Sequence, residues 1–159
     1  MMDPLLRRLA MAFALIGMFA AVAVALMVVA SIAGRSLASY PIPGDVEITQ
    51  FGIALCISLC LPWCQLKGAN IIVDFFTQRL PGPQVRALDA VGALLMAVMC
   101  ALLAWRTGVG AVAVHQARET SMIMALPMWW AYASLAPGLA LAALIAVVQA
   151  VKLLRNQPP

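Results

Sequence analysis

The chain has 159 residues, 65% of them hydrophobic and only 10% charged, with a formal net charge of +4. Soluble domains carry about 25% charged residues, so this composition excludes an ordinary globular enzyme and a nucleic-acid-binding module. A single histidine also excludes a bis-histidine haem, which needs two axial ligands.

Apolar runs long enough to cross a bilayer, about 20 residues in a helix, predict an all-α integral membrane protein. It has four transmembrane helices in one domain over residues 1–159. The first span, about 9–34, reads "LAMAFALIGMFAAVAVALMVVASIAG" and has no polar side chain before Ser31. It carries neither the ionisable residue nor the broken segment of an ion or substrate path. Its apolar run is too long for the core of a cleaved signal peptide, so it reads as a retained structural span. "RSLASYPIPGD" follows as an outer loop whose prolines and glycine stop the helix.

The second span, about 46–66, opens on Glu47 and leads into "GIALCISLCLPWCQLKG". Cys56, Cys60 and Cys64 recur every fourth residue and invite a metal or redox reading. Structural zinc sites favour CxxC pairs with further Cys or His nearby, and His115 is predicted at the opposite end of the membrane. A disulfide along one helix fails on geometry. Four residues separate the side chains by about 6 Å axially, whereas bridged Cβ atoms need about 3.8 Å. Extended one turn each way, Gly52, Cys56, Cys60, Cys64 and Gly68 form a ridge of small residues, a groove for a neighbouring helix. Pro62 puts a bend in it. The cysteines therefore read as size choices, and no metal or cofactor site is expected. Glu47 reads as a dipole cap or an interface contact rather than a proton-coupling site, because it is not deep.

Next comes "ANIIVDFFTQRLPGP". Ile71, Ile72, Phe75, Phe76 and Leu80 share one helical face, and Asn70, Asp74, Thr77 and Gln78 the other. This predicts a short amphipathic helix, about 69–80, lying in the cytoplasmic interface between spans two and three. The third span, about 85–107, reaches its outer boundary at Trp105 and Arg106, with a periplasmic extension to about 118. There His115, Arg118 and Glu119 gather as a polar knot, either a solvated loop or a contact for a periplasmic partner.

The fourth span, about 127–153, is expected to start with Pro127 in its first turn. Trp129, Trp130 and Tyr132 form an aromatic belt, and Pro137-Gly138 should kink the helix. Seven of the ten Lys and Arg lie on the side of the two termini, which places both termini in the cytoplasm. No Gly-rich phosphate loop, nucleophile triad or carboxylate dyad occurs, so no catalytic residue is expected.

From about Asp45 to Leu154 the order of features is distinctive. Glu47 opens span two, "LCLPWCQLKGANIIVDFFTQRLP" follows, and after a long third helix comes "RETSMIMALPMWWAYASLAPG". This resembles the small four-helix membrane subunit of tripartite ATP-independent periplasmic (TRAP) transporters, the DctQ-type family. The matching positions are Glu47, Asn70, Asp74, Leu80-Pro81, Ser121, Pro127, Trp130 and Tyr132. Many members carry His where Asn70 stands, which argues against a titrating role there.

The resemblance implies a non-enzymatic partner in the bacterial inner membrane. It scaffolds a large multi-span subunit that carries the sodium and substrate sites, and a periplasmic solute-binding protein delivers an organic acid of the dicarboxylate, keto acid or sialic acid class. A four-helix exporter would need an acid deep in span one, and a thiol oxidoreductase would need paired outer cysteines; neither is present. An orphan four-helix assembly factor shares the same sequence character.

Overall fold

The computed structural model describes residues 4–38, 42–68 and 82–155, and its regular elements there are four helices. They are α1 (Pro4–Ala38), α2 (Asp45–Lys67), α3 (Gly82–Ala117) and α4 (Trp129–Leu154). Each is long and apolar enough to cross a membrane. The expected interfacial helix, with Asn70 and Asp74, lies outside the described residues.

Local chemistry accounts for the boundaries. α1 starts on Pro4, whose missing N–H costs nothing in a first turn. α2 carries Asp45 and Glu47 in its first turn, matched to the positive end of the helix dipole. It ends on Gly68, a left-handed cap whose N–H meets the Cys64 and Gln65 carbonyls. α1 and α3 run to 35 and 36 residues, more than 50 Å at about 1.5 Å per residue. Pro127 stands two residues ahead of α4 rather than in its first turn. It is held there by an isolated antiparallel bridge to Thr120.

The helices stand in a row rather than in a closed bundle. α1 packs on α2, α2 on α4, and α4 on α3, while α1 only grazes α4. Neighbours in contact fix the register. Gly17 meets Leu59 and Cys60, Val24 meets Gly52, and Ser31 meets Asp45, so α1 and α2 are antiparallel. α3 and α4 are antiparallel as well, through Cys100 with Ala142 and Ala143, and His115 with Trp129. α2 and α4 run in the same direction, through Ser58 with Leu135 and Gln65 with Gln149.

Small residues line the seams. Ala10, Ala90, Ala97, Cys100, Ala142, Ala143, Ala146 and Ala150 are buried, and Ile145 is the largest fully buried side chain. The bulky apolar residues point outward, among them Phe19, Leu26, Leu95, Met99 and Leu144. Small residues inside and large ones outside suit helices that associate in lipid, where close backbone approach rather than burial of bulk drives packing.

Candidate functional site

Two features of α2 organise the molecule: a carboxylate clasp at its start and two different packing faces along its length. The clasp is Glu47. Ser121 Oγ donates to its Oε2 at 2.7 Å, and the backbone N–H of Ile123 donates to Oε1 at 2.9 Å. The N–H of Met124 adds a third bond to Oε2 at 3.1 Å. An ionised carboxylate only accepts, which matches three converging donors.

Ser121 relays the hold into the α3–α4 connection. Its Oγ accepts from the Leu126 N–H at 3.1 Å while its own N–H donates to the Leu126 carbonyl at 2.9 Å. Met128 N–H closes the hairpin on the Glu119 carbonyl at 3.1 Å. Arg118 and Ala125 turn the chain at positive φ, 52° and 51°. The Met124 side chain lies directly on Gly44, itself at φ 73°. A Cβ at that position would strike Met124, and the backbone there disfavours one in any case.

Asp45 ties the same end of α2 to α1. Ser31 Oγ donates to its Oδ2 at 2.6 Å, and Arg35 Nη2 approaches the same oxygen at 3.4 Å. Ser31 is buried and is the first polar side chain of its span; that isolation was the signal in the sequence. Asp45 looked like loop until a partner in space gave it work.

The small-residue ridge divides. Gly52 faces Val24 of α1 so closely that any Cβ would collide with it. Cys60 Sγ lies 2.9 Å from where a Cβ on Gly17 would stand, and its thiol points at the Ala14 carbonyl at 3.9 Å. The Cys56 carbonyl also borders Gly17. Cys64 and Gly68 are exposed, and a Cβ on Gly68 would meet nothing among the described residues. Its role in the structure is the helix cap. All four cysteines are free thiols. Alongside Val24 and Gly52, an apolar trough of about 470 Å³ opens between α1 and α2, bordered by Val28, Thr49, Ile53 and Cys56.

The other face of α2 meets α4 through residues outside that ridge. Pro62 deprives the Ser58 carbonyl of its helical donor, and that carbonyl lies against Gly138. No side chain fits there. A Cα–H···O contact is the interaction such a close approach permits. Ser58 Oγ donates to the Leu135 carbonyl at 2.7 Å. One helix turn from Pro62, Gln65 Nε2 donates to Gln149 Oε1 and Gln149 Nε2 donates to the Gln65 carbonyl, both at 2.8 Å. Two glutamines in apolar spans are the sequence signal for such a pair.

Among the remaining candidates, His115 meets the Trp129 ring edge-on at 5.3 Å, and Trp129 meets Trp130 at 6.1 Å. Arg118, Glu119, Thr120 and Pro127 border a shallow concavity with His115 and Trp129, about 190 Å³. Tyr132 packs on the Gly110 backbone, and Trp130 is exposed. Glu47, Ser121 and Pro127 thus converge on one hairpin; Trp130 and Tyr132 lie beyond it. Asn70 and Asp74 fall outside the described residues. These groups position backbone and pack helices.

Comparison with known proteins gives one family. The profile described as "Tripartite ATP-independent periplasmic transporters, DctQ component" matches residues 24–156. Among curated proteins and among solved structures, nothing matches.

Proposed function

The chain belongs to the DctQ family, the small membrane component of tripartite ATP-independent periplasmic transporters, and from that premise we propose that it is a non-catalytic scaffold. It braces a large membrane subunit during sodium-coupled uptake of an organic acid, of the dicarboxylate, keto acid or sialic acid class, that a periplasmic solute-binding protein delivers. Both termini face the cytoplasm, and the Glu47 hairpin faces the periplasm. The Gly52–Cys60 part of the small-residue ridge of α2 is the packing seam with α1.

The observation that carries this reading is the single-layer row. A row of four helices leaves much of each helix uncovered, and here all four helices carry exposed large apolar side chains. That shape suits a wall set against a larger membrane body, because a self-contained carrier needs an enclosed path with polar or ionisable lining.

The test is reconstitution. Liposomes with the purified chain alone should take up no labelled organic acid under a sodium gradient, and adding the large subunit and the binding protein should start uptake. Transport by the isolated chain would sink the scaffold reading. A chain that never co-purifies with a large subunit would favour an assembly factor instead.

A further inference from the structure

Arg106 sits deeper than its place in the sequence suggests. α3 stays helical to Ala117, and its contacts with α4 give a depth scale. His115 meets Trp129, Gly110 meets Tyr132, and Cys100 meets Ala142 and Ala143. Nine residues separate Arg106 from His115, about 13 Å along the helix. α4 is uncharged over Pro127–Val151, so Arg106 stands well inside the level its neighbour marks as apolar.

Its side chain is exposed, and at about 100° per residue it stands about 120° around α3 from Cys100, the residue that packs on α4. Leu95, Met99, Leu102, Arg106 and Val109 alternate at spacings of four and three, one continuous helical stripe. The four apolar members are all exposed. Arg106 makes no hydrogen bond or ion pair with any described residue. Of the acids, Asp45 is held by Ser31 and Arg35, and Glu47 by the hairpin. Asp89 lies 17 residues back along α3, about 25 Å away. Glu119 is on the hairpin, and Asp3 and Asp74 lie outside the described residues.

Retreat to the headgroups is opposed by geometry. Helical Cα–Cβ bonds lean toward the helix N-terminus, which for Arg106 is away from the nearer, Trp129 end. An ionised group within an apolar stripe at this depth calls for a counter-charge. A guanidinium, planar and always charged, pairs best with a carboxylate in bidentate form.

We propose that this stripe of α3 seats a transmembrane helix of the large subunit, whose intramembrane carboxylate pairs with Arg106. The inference rests on the scaffold reading above and extends the embedded part of α3 to about His115. It also gives one face of the row a polarity: the surface around Arg106 is the one turned to the partner.

The experiment co-expresses the large subunit, tagged, with wild-type chain, R106K, R106L or R106E, and weighs the chain recovered after detergent extraction. Absence of wild-type chain from the complex overturns the scaffold reading, and this inference with it. With wild type present, R106E should recover at least tenfold less and R106L an intermediate amount, while R106K stays nearest wild type. Equal recovery of wild type and R106E overturns the ion pair. A second measurement leaves Arg106 intact and places a benzoylphenylalanine photocross-linker at Met99. An adduct with the large subunit supports the seat; adducts confined to lipid or to a second copy of this chain overturn it.

Discussion

At Glu47 one carboxylate accepts hydrogen bonds from a hairpin 74 to 77 residues away in the chain. Both backbone donors, Ile123 and Met124, directly follow the exposed Met122, so the clasp ties the tip of the hairpin to the start of α2. Charge-assisted bonds of this kind are about twice as strong as neutral ones. Glu47→Gln keeps the shape but turns one acceptor into an NH2 donor facing other donors. Amide exchange at Ile123 and Met124 should then quicken at least tenfold, and more in Glu47→Ala. Unchanged exchange would mean that the Ser121–Leu126 and Glu119–Met128 bonds hold the hairpin unaided. The sequence marked both Glu47 and Ser121 as candidates. Their direct contact was not legible, because nothing local relates two residues so far apart.

At the scale of elements, α2 is the shared helix, and its two faces use different means. Toward α1 it offers Gly52 and Cys60, small enough for Val24 and Gly17 to settle against. Toward α4 it offers backbone: the Ser58 carbonyl freed by Pro62 lies on Gly138. Gly138→Ala should therefore push α2 and α4 apart and cost about 1–3 kcal/mol, the usual range for overpacking, seen as a lower Tm in detergent. Gly92→Ala is the control. A Cβ there meets nothing within 4 Å among the described residues, and removing a mid-helix glycine should stabilise α3 by about 0.5–1 kcal/mol. Equal effects at the two positions would contradict the close α2–α4 contact. The every-fourth-residue cysteines disclosed the first face, since a ridge has a period. The second face left only single residues, Ser58, Pro62 and Gly138, with no period to count.

For the whole molecule, a one-layer row leaves α1 and α3 with one principal neighbour each. Much of its apolar surface then awaits lipid or protein, and binding that covers the row should stabilise it by mass action. The Tm of the chain within a complex with the large subunit should exceed its Tm alone in the same detergent. Identical values would mean that the broad faces stay open to lipid. What the sequence determined by itself was class and element: runs of uncharged residues specify four membrane helices, since a bilayer rejects unpaired backbone and charge residue by residue. The family resemblance rested on the order of Glu47, the stretch with Asn70 and Asp74, and Pro127 with the aromatics that follow it. What only the tertiary structure decided was the order α1–α2–α4–α3, the Glu47–Ser121 contact, the split of the ridge at Cys64, and which part of α4 lies level with Arg106. Those are relations between helices. In spans that are apolar almost all round, the pattern of residues does not say which face meets which neighbour, and only the packed register does.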